Sequence, residues 1–277
     1  MSGYKKMNQF NKAGSFLNGR GQFAVVTGAS SGLGKIFAQR LASRGYNIIA
    51  VARRAAELES LAEELRSGFG VEVEVISADL RSRVDCDRLA KQFGREDVSL
   101  LVNNAGYGKV SPLAQMDSED VAGQIALNVT AVSLLTQAAS ANFVRRAAGG
   151  ILNVASLAGF MPVPGFAVYA ATKAYVLSLS LALAEELAGS GVRVSVACPG
   201  YTDTGFFDVS GLSSKIRGNA MSPDQVVDYV LKRFGAGEVM IVPGFSNQLL
   251  TQVATHLPHQ LAARAAGLIF RRQMTQK

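Results

Sequence analysis

The chain has 277 residues, of which 48% are hydrophobic and 18% charged, and its formal net charge is +7. That length and apolar content suit the core of one large α/β domain and exclude an intrinsically disordered chain. The charge is uneven: residues 1–56 hold nine Lys or Arg and no Asp or Glu, which points either to a polyanionic partner (nucleic acid, an anionic membrane, a phosphorylated cofactor) or to a solvated basic face.

In chain order, the first apolar run is Phe23–Thr27, and the spacing predicts a strand there. It leads into Thr27-Gly-Ala-Ser-Ser-Gly-Leu-Gly34 and then a helix over Leu33–Ser43. Glycines in such a turn permit close backbone approach, and the helix start offers unpaired N–H groups to a pyrophosphate. The candidate phosphate-binding residues are therefore Gly28, Ser30, Ser31, Gly32, Leu33 and Gly34. The spacing is GxxxGxG rather than the usual GxGxxG, and a purely structural turn is the competing reading. A second strand, Asn47–Ala52, ends in Arg53 and Arg54. An NAD site places an acid near this point to hold the ribose 2′-hydroxyl; Ala52 followed by arginine suits a 2′-phosphate instead, so NADPH is expected over NADH.

Further strands are predicted over Val71–Ser77, Val98–Asn103, Gly150–Ala155, Val192–Ala197 and Val239–Val242. Helical spacing covers Glu57–Leu65, Asp85–Phe93, Glu119–Val144 and Tyr169–Leu187. Continuous apolar strands alternating with helices indicate a doubly wound parallel sheet with helices on both faces, and ligands beyond the carboxyl ends of its strands. A helix is expected to open at Ser222-Pro223. The weakly periodic segment Tyr201–Met221 before it is the candidate lid.

Tyr169 and Lys173 stand at i and i+4, on one helix face, and Ser156 ends the preceding strand. A nearby ammonium is expected to lower the phenol pKa, letting Tyr169 protonate a carbonyl oxygen while Ser156 hydrogen-bonds it. Phe160, Met161, Val163 and Phe166, then Phe206 and Phe207 in the lid, suggest a lipophilic substrate pocket; the alternative is that several of them simply pack the lid.

With TGASSGLG (27–34), NNAG (103–106), Asn128, Ser156, YAATK (169–173) and PG (199–200) in this order and spacing, residues 20–245 resemble the single-domain short-chain dehydrogenase/reductase family. The resemblance implies a Rossmann-like seven-stranded parallel sheet and a catalytic tetrad of Ser156, Tyr169, Lys173 and Asn128. In that scheme Lys173 also holds the nicotinamide ribose and Asn128 anchors a water that relays protons to it. Asp79, with Leu80, would meet the adenine. Asn103, Ala105 and Gly106 would line the adenosine side, and Pro199, Gly200, Thr202 and Thr204 the nicotinamide end. Ser31 stands where some NADP-using members carry Lys or Arg, which leaves the 2′-phosphate to Arg53 and Arg54.

The expected organisation is a basic extension at 1–20, one catalytic domain at 21–245 and an amphipathic tail at 246–277. The expected function is NADPH-dependent reduction of a ketone or aldehyde by a homodimer or homotetramer, without nucleic acid. A catalytically silent cofactor sensor or scaffold is the alternative. In the tail, Leu249, Leu250, Val253, Leu257, Leu261, Ala265, Leu268 and Ile269 recur at helical intervals around Pro258, flanked by Arg264, Arg271 and Arg272. This pattern suits packing on the domain or a neighbour, or peripheral membrane contact. Cys86 and Cys198 form no CxxC pair and lie far from His256 and His259 in sequence, so no metal-ligand set is expected and a reducing, cytoplasmic setting is. Val121–Val144 and Val239–Ala263 lack Asp, Glu, Lys and Arg, but polar residues interrupt the first and prolines the second, so neither reads as a membrane span.

Overall fold

The computed structural model describes residues 17–206, 210 and 220–274. Seven strands pair in parallel in the order β3-β2-β1-β4-β5-β6-β7. They are β1 Phe23–Thr27, β2 Asn47–Ala52, β3 Val73–Ser77, β4 Val98–Asn103, β5 Gly149–Val154, β6 Val192–Ala197 and the short β7 Met240–Ile241. Four of the predicted strand spans coincide with these; β3 starts two residues later than predicted, and β5 and β7 differ by one residue at each end. The expected doubly wound sheet is the observed one.

Strand period decides which core each side chain joins. Ala24 and Val26 of β1, with Ile48 and Ala50 of β2, face α1 (Gly32–Ala42), α2 (Ala55–Phe69) and α7 (Pro223–Gly235). Their neighbours Val25, Ile49 and Val51 face α3 (Arg83–Ala90) and α5 (Val132–Arg145). The central strands β1, β2, β4 and β5 are buried on both faces, which explains their Val, Ile and Leu runs; each such side chain contributes about 1.5–3 kcal/mol on burial. The helix opening at Ser222 is fixed by a capping box with Gln225, and Pro223 occupies its first turn.

The predicted helix Glu119–Val144 is three pieces: α4 (Ser118–Ile125), a π-helical stretch Ala126–Ala131, and α5. Asn128 lies in the π-helical stretch. The helices Ser118–Arg145 and α6 (Ala167–Glu186) are long and apolar enough to cross a membrane by length and composition. Leu135, Ala139 and Phe143 of α5 pack into the core under the sheet, and Val176 of α6 packs with Val196 of β6. The tail forms α8 (Phe245–His256) and α9 (His259–Met274), broken at Pro258 as its sequence predicts. Of the proposed lid, residues 207–209 and 211–219 lie outside the described residues; at its ends, Thr202 bridges Met221.

Candidate active site

The sheet reverses its winding between β1 and β4, and a cavity of about 1130 Å³ opens beyond the strand ends there. At one end lies the glycine turn. Gly28 and Gly32 have φ of +70° and +55°, conformations that favour glycine. A Cβ on Gly34 would stand 2.1 Å from the Gly28 carbonyl oxygen, so only glycine lets α1 start this close to β1. Gly34 therefore shapes the turn and does not line the cavity, whereas Gly28, Ser30, Ser31, Gly32 and Leu33 do.

The end of β2 brings Arg53 and Arg54 to the cavity wall. Arg54 Nη2 donates to Ser30 Oγ at 3.0 Å, tying the arginine to the glycine turn, while its Nη1 pairs with Glu57 at 3.3 Å. Asp79 and Leu80 follow β3 into the same wall, and Asp79 is locked to Arg81 at 2.6 Å. The Arg81 guanidinium holds the Asp79 carboxyl below its ordinary range.

The NNAG segment separates into two roles. The Asn103 side chain is turned into the interior, donating to Thr136 Oγ1 at 3.0 Å and Asn153 Oδ1 at 2.9 Å. The expectation that Asn103 lines the adenosine side is thus corrected. As the last residue of β4, its side chain faces the helix layer that holds Thr136. Asn104 lines the cavity in its place, with Ala105 and Gly106. Asn104 Nδ2 donates to the Thr27 carbonyl at 2.9 Å, and Thr27 Oγ1 accepts the N–H groups of Asn104 and Ala105, both at 3.0 Å. The end of β1 thereby fixes the loop after β4.

At the other end of the cavity, Ser156 follows β5, and Tyr169 and Lys173 project from one face of α6; all three line it. Ser156 Oγ accepts from the Ala158 N–H at 3.2 Å, fixing the turn Leu157–Phe160. A Cβ on Gly159 would sit 2.9 Å from the Lys173 backbone, so this glycine lets the turn rest on α6. The Tyr169 ring stacks on Phe166 at 4.3 Å between centroids, with Phe206 tilted against it at 5.4 Å. A Cβ on Gly108 would strike the Phe166 and Tyr169 rings, at 2.6 and 2.7 Å.

Lys173 Nζ donates to the Val154 carbonyl at 2.8 Å and lies 5.7 Å from the Tyr169 ring centroid. Burial pushes the Tyr169 hydroxyl up to about 12, against the opposing hydrogen bond from Ser156. Burial also brings the Lys173 ammonium down to about 8. The sequence-based expectation of an ammonium-lowered phenol is therefore reversed in this state of the protein. The desolvation of a buried phenol outweighs the Ser156 hydrogen bond, and the ammonium donates to a backbone carbonyl instead.

Asn128 is fully buried and does not line the cavity. Its Nδ2 donates to the Tyr107 carbonyl at 2.8 Å and to Thr172 Oγ1 at 3.0 Å, and its Oδ1 accepts the Tyr107 N–H at 3.1 Å. A Cβ on Gly106 would lie 3.0 Å from Asn128 Oδ1 and 3.3 Å from Lys173 Nζ, so glycine leaves these two groups converging on one point.

Pro199, Gly200 and Thr202 close this end, and Met161, Val163, Phe166 and Phe206 give it apolar walls. Thr204 also lines the cavity but reaches back to the glycine turn, where a Cβ on Gly32 would lie 3.4 Å from its side chain. Phe160, expected in the pocket, instead packs with Val132, Val176, Val196 and Cys198, because the turn after Ser156 directs its ring into the core. Phe207 lies outside the described residues. Sequence reasoning missed Asn104, Tyr107 and Arg81, and the tail residues Leu250, Val253 and Leu257, all of which line the cavity.

Comparison with known proteins follows the same lines. Residues 22–212 match the sequence model described as short chain dehydrogenase. A very-long-chain 3-oxoacyl-CoA reductase of Podospora anserina is 37% identical over 221 residues, covering 78% of this chain and 64% of that protein. The chain thus spans less than two thirds of the length of that relative. Among solved structures, a short-chain dehydrogenase from Sphingobium yanoikuyae in complex with NADPH is 34% identical, with a TM-score of 0.78 over 92% of this chain and 96% of that one. The bulky-bulky ketone specific alcohol dehydrogenase from Comamonas testosteroni is 30% identical, with a TM-score of 0.75 over 86% of this chain and 95% of that one. With the family model matched over more than half its length, this chain belongs to the short-chain dehydrogenase family.

Proposed function

We propose that this protein reduces a lipophilic ketone or aldehyde to the alcohol with NADPH. The observation that carries the reading is the single cavity with Ser30, Arg53 and Arg54 at one end and Ser156, Tyr169 and Lys173 at the other. The named activities of its relatives, on long 3-oxoacyl chains and on bulky ketones, support the same substrate class.

The residues present fit the dinucleotide. The crowding at Gly34 makes a turn that only a backbone can follow. Ser31 caps α1 without a side-chain hydrogen bond, and no acid stands in the first turn of that helix. A phosphate there meets N–H groups and the positive end of the helix. Arg53 and the Ser30–Arg54 pair would hold the 2′-phosphate, and the solved relative with NADPH supports that choice. When bound, the nicotinamide supplies a hydride to the carbonyl carbon.

The chain's own residues manage the proton. Tyr169, held neutral by burial, is in the form that gives a proton to the carbonyl oxygen at neutral pH. The Ser156 hydroxyl hydrogen-bonds that oxygen and stabilises the charge developing on it. Lys173 places a positive charge behind the phenol and favours the phenolate left after transfer. Asn128 positions the Tyr107 backbone and α6 through Thr172, and its neighbourhood with Lys173 at Gly106 suits a water that returns the proton.

The test is a panel of ketones and aldehydes with NADPH and NADH. Turnover with an NADPH preference supports the reading. NADPH binding without turnover of any carbonyl contradicts it and favours a cofactor sensor.

The tail carries a second reading. Phe245, Leu249, Leu261 and Leu268 are exposed, and Val239–Lys277 contains Arg264, Arg271, Arg272 and Lys277 but no Asp or Glu. These features support peripheral contact with an anionic bilayer. Cosedimentation with vesicles rich in phosphatidylglycerol, lost at high salt or in Phe245→Ser with Leu249→Ser, tests it. Exposed Ile125 and Val144 on the helix Ser118–Arg145, with Tyr175 and Leu181 on α6, support a homodimer or homotetramer, which light scattering reads directly. The unpaired buried Cys86 and Cys198 suit a cytoplasmic setting.

A further inference from the structure

The two tail helices present different faces to the cavity and to solvent. Leu250, Val253 and Ala254 of α8, at i, i+3 and i+4, line the cavity, and so does Leu257, the extended residue that follows the helix. From α9 the lining residues are Ala262, Ala265 and Ala266, again on one helix face. Every cavity-lining side chain from these helices is apolar, so this wall offers no hydrogen bond to a ligand.

Two contacts place the wall at the catalytic end. A Cβ on Gly200 would lie 2.7 Å from the Asn247 amide, so the start of α8 sits on the Pro199–Gly200 turn. Asn247 Nδ2 also donates to the Pro243 carbonyl at 2.7 Å, fixing the entry into that helix. Helix α8 further packs against the turn Leu157–Phe160, the turn that follows Ser156. Beside the catalytic hydroxyls, therefore, the cavity is walled by an aliphatic face of α8, and its lining includes a face of alanines on α9. Leu250, Val253 and Leu257 are 46%, 50% and 38% exposed although they line this cavity, so a ligand there has apolar surface left to cover.

We propose that α8 and α9 form the binding site for an unbranched alkyl chain attached to the carbonyl. The alanines of α9 leave the room that the chain occupies, and the leucines and valine of α8 supply the surface it covers. The proposal rests on the carbonyl-reductase reading and adds to it the residues that select substrate length. Ala265 is the position to obstruct, because it lines the cavity yet is exposed, so a larger side chain there disturbs no core packing.

The experiment measures kcat/KM with NADPH for methyl ketones bearing butyl through tetradecyl tails, in the full chain and in Ala265→Phe. Each methylene buried along the wall is expected to raise kcat/KM about fourfold until the channel is filled. Ala265→Phe is expected to abolish that rise while the Kd for NADPH stays unchanged. Equal length dependence in the two proteins, or none in the unsubstituted chain, overturns the proposal. If no ketone is reduced while NADPH still binds, the carbonyl-reductase reading fails separately. Binding of a fluorescent polyene fatty acid then decides: affinity at least tenfold weaker in Ala265→Phe supports the alkyl site, and equal or absent binding overturns it.

Discussion

The Lys173 ammonium donates to the Val154 carbonyl at 2.8 Å, at the end of the strand that delivers Ser156. This bond leaves the lysine buried with a carbonyl and no carboxylate, which accounts for its pKa falling to about 8. The unfolded chain keeps that proton to about 10.5, so between these values unfolding takes up a proton and stability rises with pH. Tyr169 acts oppositely and higher: its contribution is complete below about 10 and is lost as pH rises toward 12. Urea unfolding of the chain and of Lys173→Met should show a stability difference that shifts in favour of the unsubstituted chain from pH 8 to 10. A difference constant across that range contradicts the burial account.

Arg53 and Arg54 are expected to set the cofactor choice. Replacing both with alanine removes the charge-assisted hydrogen bonds available to a 2′-phosphate, about 1.5–3 kcal/mol for such a bond. The Kd for NADPH should rise roughly 10- to 100-fold and that for NADH should stay within about twofold. Fluorescence titration measures both, and parallel weakening of the two cofactors contradicts the assignment.

Two glycines give opposite stability predictions. Gly34→Ala places a methyl 2.1 Å from a backbone oxygen, which no rotamer relieves. Overpacking of this kind costs roughly 1–3 kcal/mol, and NADPH binding should fall with it. Gly68, in the last turn of α2, has nothing within 4 Å of its would-be Cβ. There Gly68→Ala should stabilise by about 0.5–1 kcal/mol with cofactor binding unchanged. Thermal unfolding with and without NADPH separates the two.

The strands were legible because burial on both faces forces unbroken β-branched runs, as in Asn47–Ala52. The clustering of Ser156, Tyr169 and Lys173 followed from strand end and helix spacing alone. What stayed hidden depended on three-dimensional direction. Two adjacent asparagines, Asn103 and Asn104, point to opposite sides, one to Thr136 and one to the cavity, and nothing in NNAG says which. The π-helical stretch around Asn128 follows no hydrophobic period, so it reads as ordinary helix. In the tail, solvent-exposed Leu249 and Leu261 alternate with cavity-lining Leu250 and Ala262, so its helices and the Pro258 break are readable but its cavity-facing side is not. The pKa order of Tyr169 and Lys173 required their burial, which i,i+4 spacing does not contain.

The most direct test of the central claim is single-turnover reduction of a methyl ketone by the NADPH complex of the chain and of Tyr169→Phe. Phenylalanine keeps the ring stacked on Phe166 and removes only the proton donor. The predicted result is a rate lower by about 10²- to 10⁴-fold with NADPH affinity unchanged. Reduction at an undiminished rate in Tyr169→Phe would contradict the account.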